Sequence, residues 1–363
     1  MTESGTPDFP ERHRTEGDPI MRTCRVLRFC VAGLACWLFG TAGLAESAAP
    51  RQRLLGVNLP GAGFAGQVLP GIHGQHYLWP PASDVDLFAK TGANVLRIAF
   101  LWERMQPTLF GDLNAAELER LDAVVGRGAI RGVTIILDVH NYGLFRKKKI
   151  GSSEVPVAAF TDLWTRLAAH YRNAPNAAFG LMNEPHEHKA AEWAPIAQEA
   201  ILAIRKTGAR QLILVPGTNW SSAARWLDRD GWTSNADALK TLKDPADNYI
   251  FEVHQYFDSN SSGTHPTCVD ENIGVKRLSA MTDWLHKTGK EAFLGEFGAS
   301  KDPVCLKALR NTLAFMNQNG DVWRGWSFWA ASPRFGDYMF NIYPPDAARY
   351  PQVPILEEAM KTK

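Results

Sequence analysis

The sequence carries almost no excess charge. Its 39 Lys and Arg residues nearly balance its 38 Asp and Glu residues, so the 363-residue chain has a formal net charge of +1. Such a chain has no bulk electrostatic attraction to nucleic acid or to an anionic membrane surface, and we expect no nucleic-acid partner. Its 12 Trp, 8 Tyr and 18 Phe residues suit an uncharged ligand that stacks on rings, although a large core uses aromatic residues too.

The sequence also lacks a hydrophobic run long enough to be a convincing membrane span. Its apolar stretch at residues 29–44 follows a short basic segment that begins at Met21, and small residues come after it. This order is typical of a secretory signal peptide. We predict that residues 1–45 are an upstream extension plus a signal peptide, with Met21 as the true start. The mature protein is then extracellular or periplasmic and free of the membrane; an uncleaved N-terminal anchor is the alternative.

Cysteine is scarce, with five residues in the chain. Three of them, Cys24, Cys30 and Cys36, belong to the predicted leader. The remaining two, Cys268 and Cys305, are the pair that an exported protein uses for one disulfide. Two free buried thiols are the alternative.

Beyond residue 45 there is no low-complexity linker, so we expect residues 46–363 to form a single domain. Eight short apolar runs recur, and they begin 32 to 44 residues apart. The runs are Leu54–Leu59, Asn94–Phe100, Val133–His140, Ala177–Glu184, Gln211–Gly217, Tyr249–Tyr256, Glu291–Gly298 and Trp323–Ala330. Segments with helical periodicity lie between them. Near-continuous apolar strands that alternate with helices predict an α/β fold, a (β/α)8 TIM barrel.

Two other architectures fit part of this pattern. An open doubly wound sheet also alternates strands and helices, but no glycine-rich dinucleotide fingerprint follows the first run. A solenoid also has a regular spacing, but no residue-level repeat accompanies it. Both are therefore weaker than the barrel.

Polar residues stand at the carboxyl ends of most runs, where a barrel of this kind places its reactive groups. They include Arg97, Asp138 to Tyr142, Asn183 and Glu184, His254 and Tyr256, Glu296, and the tryptophans Trp326 and Trp329. A single inward Arg or His has a structural explanation as an ion-pair partner or a satisfied core residue. Their recurrence on strand after strand favours one shared site at the mouth of the barrel. We expect Asp138 to be structural.

Two of these residues, Glu184 and Glu296, are a pair of carboxylates from the fourth and seventh runs. Cleavage of a glycosidic bond requires one protonated carboxyl to donate to the leaving oxygen and one ionised carboxylate to attack or to activate water. Arg97 and Tyr256 can hold one carboxylate ionised. His254 can orient the other. The pair therefore favours glycoside hydrolysis.

With these motifs the sequence closely resembles glycoside hydrolase family 5, and within it the secreted endo-β-1,4-glucanases. The resemblance covers about residues 53 to 357. It is carried by Asn94–Pro107, Asp138–Tyr142, Asn183–Pro185, His254–Asp258 and Gly295–Gly298. The eight active-site positions of the family match Arg97, His140, Asn183, Glu184, His254, Tyr256, Glu296 and Trp329.

The resemblance implies roles for the site. Glu184 is then the acid/base and Glu296 the nucleophile, with net retention of configuration and carboxyl groups about 5–5.5 Å apart. It also supports a disulfide between Cys268 and Cys305. The substrate is a β-glucan, and no metal or cofactor is implied.

Further residues are expected to bind substrate or to narrow its range. We predict that Trp220, Tyr142 and Asn58 contact sugar. The chain carries no cellulose-binding module on a linker, so soluble or amorphous glucan is the expected substrate of a monomeric enzyme. The alternatives are a related mixed-linkage glucanase, xyloglucanase or mannanase, a non-catalytic glycan-binding barrel, and a metal hydrolase that uses His140, His254 and Asp138.

Overall fold

Eight strands, each followed by a helix, alternate along the computed structural model of the protein, which describes residues 52–361. The strands are β1 (Leu54–Ala62), β2 (Val95–Phe100), β3 (Thr134–Val139), β4 (Ala177–Gly180), β5 (Ile213–Pro216), β6 (Tyr249–His254), β7 (Ala292–Glu296) and β8 (Trp323–Phe328). The helices are α1 (Ala82–Ala89), α2 (Ala115–Arg131), α3 (Val157–Tyr171), α4 (Ala190–Lys206), α5 (Asn235–Leu239), α6 (Ile273–Thr288), α7 (Pro303–Gln318) and α8 (Gln352–Lys361).

Smaller elements lie in the connections. They are a short helix at Trp102–Met105, 3-10 turns at Ala223–Arg225 and Pro333–Phe335, and a two-stranded ribbon of Leu144–Phe145 and Lys148–Lys149. None of the helices within residues 52–361 has the length and apolar character to cross a bilayer. The predicted leader, residues 1–45, lies outside the described residues.

The eight strands form a closed parallel barrel in the order β1-β8-β7-β6-β5-β4-β3-β2. Each strand therefore has two hydrogen-bonded neighbours, and all eight carboxyl ends open on one face. The predicted (β/α)8 fold is confirmed. Most strands are shorter than the predicted runs, and β4 differs most: it ends at Gly180, four residues before Glu184, which turns the chain with a φ of 42°.

Helix boundaries follow from local chemistry, as α2 illustrates. The side chain of Asn114 accepts hydrogen bonds from the backbone N–H groups of Ala116 and Glu117, which would otherwise be unsatisfied at the helix start. Gly132 ends the helix in the left-handed region, with a φ of 66°. The apolar stripe of α2 then packs against the outside of the barrel.

The interior of the barrel is arranged in layers. One buried apolar residue from each of β1 to β7 forms the lower layer: Leu54, Val95, Ile136, Ala178, Leu214, Ile250 and Phe293. Side chains alternate along a strand, so the next inward position lies two residues further on. In β2, β3 and β6 that position holds Arg97, Asp138 and Glu252, which are all at most 1% exposed. A charged layer therefore lies on the apolar layer, directly beneath the mouth of the barrel.

The predicted disulfide between Cys268 and Cys305 is present, with the two Cα atoms 5.2 Å apart. It joins the connection that follows β6 to the first turn of α7. The hydroxyl of Ser300 donates to the carbonyl oxygen of Pro266 at the same place. The bridge thus anchors a loop that borders the mouth.

Candidate active site

Arg97 lies at the centre of the charged layer and is fully buried. Its Nη1 is 3.0 Å from Asp138 Oδ2 and 3.0 Å from Glu296 Oε1, and its Nε is 2.7 Å from Glu252 Oε1. Burial by itself lowers the pKa of Arg97, but the three carboxylates outweigh burial and raise it. A buried charge is stable only with partners of this kind, so Arg97 is a permanent cation beneath the site.

Two asparagines complete the contacts of Arg97. Nη1 donates to Asn58 Oδ1 and Nη2 donates to Asn183 Oδ1, both at 3.0 Å. Asn58 also donates its amide to the carbonyl oxygens of Gly295 and Ser327, at 2.8 and 3.0 Å. Asn183 keeps a buried amide nitrogen that has no protein partner among the described residues.

Glu296, the last residue of β7, receives hydrogen bonds on both carboxylate oxygens. Arg97 donates to Oε1 at 3.0 Å, and the hydroxyl of Tyr256 donates to Oε2 at 2.8 Å. His254 Nδ1 lies 3.6 Å from the same Oε2. Burial raises the pKa of the Glu296 carboxyl, and the positive charges of His254 and Arg97 oppose that shift. The ionised form of Glu296 therefore depends on these neighbours.

Glu184 lies on the opposite side of the site, four residues beyond the end of β4, and its side chain is 14% exposed. His254 Nδ1 lies 2.6 Å from Glu184 Oε1, and His254 Nε2 lies 3.4 Å from Glu252 Oε1. Burial lowers the pKa of His254, but Glu296, Glu184 and Glu252 outweigh it and raise the pKa to about 10. His254 is thus a cation at neutral pH and donates to Glu184.

The two glutamates face each other across a short gap. One oxygen of Glu184, one oxygen of Glu296 and a ring nitrogen of His254 all lie within 4.8 Å of one another. This trio has the residue types of a metal site, but a cation there would lie beside the protonated His254 and the guanidinium of Arg97. The charges present therefore favour a proton-transfer pair over a metal centre.

An open cleft runs over the glutamates in two halves. The first half, about 610 Å³, contains Glu296, His140 and Trp329; the second half, about 480 Å³, contains His254 and Trp220. Residues that border both halves are Tyr142, Glu184, Tyr256 and Ser262. Glu184 thus lies where the halves meet, and Glu296 borders the first half only.

His140 and Trp329 form one wall of the first half. His140 Nδ1 lies 2.7 Å from Asp138 Oδ2, and this contact fixes the imidazole. The ring of Trp329 stacks on that imidazole with a centroid distance of 5.7 Å and an interplanar angle of 14°. Asp138 therefore acts on Arg97 and His140 together, consistent with the structural role expected for it.

Trp220 forms an exposed platform in the second half. Its side chain is 52% exposed, and its ring stacks on His186 with a centroid distance of 4.9 Å and an interplanar angle of 5°. Asn219, Trp220 and Ser221 all have left-handed φ angles, of 58°, 55° and 51°. Such a turn persists only when its surroundings hold it. Here the side chain of Ser221 holds the turn, because its hydroxyl donates to the carbonyl oxygen of Glu252.

The eight predicted active-site residues and two of the predicted sugar contacts, Trp220 and Tyr142, border the cleft or lie directly beneath it. Asn58 does not reach it. It is 1% exposed, and its side-chain atoms are engaged by Arg97, Gly295 and Ser327. The structure therefore corrects the prediction of a sugar contact: Asn58 positions Arg97.

Two residues of the site were missed in the sequence, Glu252 and His186. Glu252 has a signal there, since it lies two residues before His254 in the same run and must share its inward face. His186 has none, because its stacking on Trp220 depends on the conformations of two separate loops.

Comparison with known proteins agrees with this geometry. The family model "Cellulase (glycosyl hydrolase family 5)" matches residues 57–332. A probable endo-β-1,4-glucanase B of Neosartorya fischeri is 36% identical over 320 residues, which cover 86% of this chain and 94% of that protein. The endo-β-1,4-glucanase structure from Xanthomonas axonopodis pv. citri is 41% identical, with a TM-score of 0.83, and covers 85% of this chain and 98% of that one.

A structure of XacCel5A in complex with cellopentaose is also similar to this chain. It is 43% identical with a TM-score of 0.81, and the match covers 85% of this chain and 99% of that one. The family model, the relatives and the barrel with its paired glutamates lead to the same conclusion: the chain belongs to glycoside hydrolase family 5, the cellulase family.

Proposed function

We propose that the protein is a secreted endo-β-1,4-glucanase that cleaves internal bonds of β-glucan with retention of anomeric configuration. The observation that carries the retaining mechanism is the separation of the glutamates, whose nearest oxygens lie within 4.8 Å. Retaining glycosidases hold their carboxyl groups about 5–5.5 Å apart, whereas inverting enzymes need about 6.5–9.5 Å to admit a water.

The reaction proceeds in two displacements. In the first, the Glu296 carboxylate attacks the anomeric carbon while the Glu184 carboxyl gives its proton to the glycosidic oxygen, which leaves with the departing chain. In the second, the Glu184 carboxylate takes a proton from a water, whose oxygen attacks the anomeric carbon and releases Glu296. Each glutamate ends the cycle in its initial protonation state.

The surrounding residues stabilise a different protonation state at each of the two carboxyl groups. Arg97 and Tyr256 donate to Glu296 and so stabilise the ionised nucleophile against the cost of burial. His254 donates to one oxygen of Glu184 and leaves the other oxygen to carry the proton. The unpartnered amide of Asn183 is suited to donate to the sugar 2-hydroxyl, a contact that strengthens in the transition state.

The substrate is an extended, uncharged chain. The cleft is open and continues on both sides of Glu184, which suits attack within a polymer. Trp329, Tyr142 and Trp220 offer aromatic faces to the apolar faces of pyranose rings. XacCel5A, similar in sequence and fold, holds cellopentaose. Soluble or amorphous β-1,4-glucan fits these features, and a product profile over carboxymethyl-cellulose, mixed-linkage glucan, xyloglucan and mannan tests the preference.

The decisive experiment combines two variants with the stereochemistry of the product. We expect Glu184→Gln and Glu296→Gln each to lower hydrolysis by orders of magnitude while circular dichroism stays that of the wild type. The matched control is Glu154→Gln, since Glu154 is an exposed glutamate in the loop between the two-stranded ribbon and α3. Proton NMR of early products should show the β-anomer first. Near-wild-type activity in either variant, or the α-anomer first, would overturn the assignment.

Export and assembly are part of the same proposal. Residues 1–45 act as extension and signal peptide, and residues 46–363 form one monomeric catalytic domain outside the cell or in the periplasm. Expression of the full chain should yield an exported protein whose N-terminus, by Edman sequencing, lies near residue 46. Size-exclusion chromatography should give the mass of one chain.

A further inference from the structure

Trp232 is the most exposed large apolar side chain among the described residues, at 78%. Tryptophan is normally buried over most of its surface, so an indole left in water has no role in stabilising the fold. Trp232 borders neither half of the cleft. Neither packing nor the catalytic site therefore accounts for its exposure.

The turn that carries Trp232 is closed by backbone contacts. Asp230 donates its backbone N–H to the carbonyl oxygen of Thr233 at 3.0 Å, and Arg229 pairs with Ser234 in an antiparallel bridge. Thr233 and Ser234 are buried, at 4% and 2% exposure. The indole is thus presented at the tip of a turn with a buried, hydrogen-bonded base, so the backbone of the turn need not be ordered when a ligand stacks on it.

The same turn is fastened to the face of the barrel that holds the cleft. The Asp230 carboxylate accepts a hydrogen bond from the backbone N–H of Ala190 at 3.0 Å and one from the hydroxyl of Thr218 at 3.1 Å. Ala190 begins α4, the helix that follows the Glu184 loop. Thr218 lies two residues before Trp220. The turn that carries Trp232 is therefore anchored on the Glu184 side, to a residue near the Trp220 platform in the sequence.

The charges around this turn favour a neutral ligand. Arg225 and Asp228 form an ion pair at 3.3 Å, and the Asp230 carboxylate is satisfied by its two donors. Arg229 and Lys189 also lie at this turn, so its five charged residues carry a net charge of +1, which is too small to select a strongly acidic partner. A sugar chain that continues past Trp220 would meet the indole with the apolar faces of its rings.

We propose that Trp232 is a distal platform for the leaving-side segment of a β-glucan chain. This inference rests on the proposed endoglucanase function. It concerns only chains long enough to extend past the cleft, so it predicts a dependence on substrate length rather than on the chemical step.

The test compares polymer with short oligosaccharide. For Trp232→Ala, the ratio of kcat/KM on soluble mixed-linkage β-glucan to kcat/KM on cellotetraose should fall about two- to tenfold, the range of one aromatic contact. Trp232→Phe should restore much of it. The matched control is Ile130→Ala, since Ile130 is 72% exposed on α2, which leads into the amino end of β3 on the opposite face. The control should keep the wild-type ratio.

The outcomes separate this inference from the function on which it rests. If wild-type protein hydrolyses neither substrate, the proposed function fails. If the wild type is active and Trp232→Ala keeps its ratio, or loses activity equally on both substrates, the distal platform is overturned while the function stands. Retardation in gels that contain the polymer gives a second readout: in the Glu296→Gln background, Trp232→Ala should migrate faster than its parent.

Discussion

The hydroxyl of Tyr256 should control the ionisation of Glu296, and Tyr256→Phe isolates that effect. The substitution removes one oxygen, which donates to Glu296 Oε2 at 2.8 Å. The ring keeps its stacking on Phe340, at a centroid distance of 5.9 Å and an interplanar angle of 9°. The change therefore leaves the packing in place and deletes a single hydrogen bond to a carboxylate.

The magnitude follows from the charge on the acceptor. A hydrogen bond to a charged group contributes about 1.5–3 kcal/mol, so its loss should lower kcat/KM by about tenfold to about 150-fold. The hydroxyl stabilises the ionised form of Glu296, so its removal should raise the pKa of a carboxyl that burial already raises. The nucleophile must be ionised, and activity is lost as pH falls through its pKa. The acid limb should therefore move to higher pH by about one to two units.

The assay is the pH dependence of kcat/KM on a chromogenic cello-oligosaccharide. Tyr171→Phe is the matched control, because Tyr171 also donates to a carboxylate at 2.8 Å, that of Asp122 on the outside of the barrel. The control should keep the wild-type profile. If Tyr256→Phe lowers the rate without moving the acid limb, the hydroxyl does not act through the ionisation of Glu296 and the reasoning fails.

Three further predictions follow from other contacts. Replacing both Cys268 and Cys305 with Ser removes a bridge across 37 residues, which should cost about 4 kcal/mol of unfolding free energy and several degrees in Tm; an unchanged calorimetric Tm would contradict this. Asn58→Ala should lower kcat about tenfold with little change in KM, because it removes a hydrogen bond that positions Arg97. A rise in KM alone would instead indicate that Asn58 contacts the sugar. The pKa of His254, raised to about 10, contributes stability that is present below about pH 6.5 and is lost as pH rises through about 10. His254→Asn should therefore flatten the fall in unfolding free energy between pH 7 and pH 10.5, measured in urea, and parallel curves would refute it.

The sequence is sufficient to predict the barrel and most of the residues that the structure brings together at its mouth. Apolar runs at regular spacing are the direct consequence of strands covered on both faces, and polar residues such as Glu296 that recur at their ends indicate a shared site. Because side chains alternate along a strand, the sequence also predicts that Glu252, two positions before His254, faces the same side as His254. Apolar residues surround Glu252 in this run, so the apolar pattern alone does not indicate it as a site residue.

Other features arise only in three dimensions. An amide side chain such as that of Asn58 can bind sugar hydroxyls. In this fold it is buried against Arg97 of the neighbouring strand, and the sequence does not show that contact. The apolar pattern reveals neither the end of β4 at Gly180 nor the left-handed conformation of Glu184. His186 and Trp220 lie on two different loops. The hydrophobic periodicity of a sequence does not predict contacts between loops, so their stacking could not be predicted.

The contacts of Arg97 have a consequence for the thermal inactivation of the protein. One guanidinium bonds to side chains from β1, β3, β6 and β7 and from the segment after β4, so it spans most of the circumference of the barrel. The strands cannot slide or spread without breaking that set of contacts, and the nucleophile cannot be displaced while they persist. Thermal inactivation and unfolding should therefore coincide in a single transition.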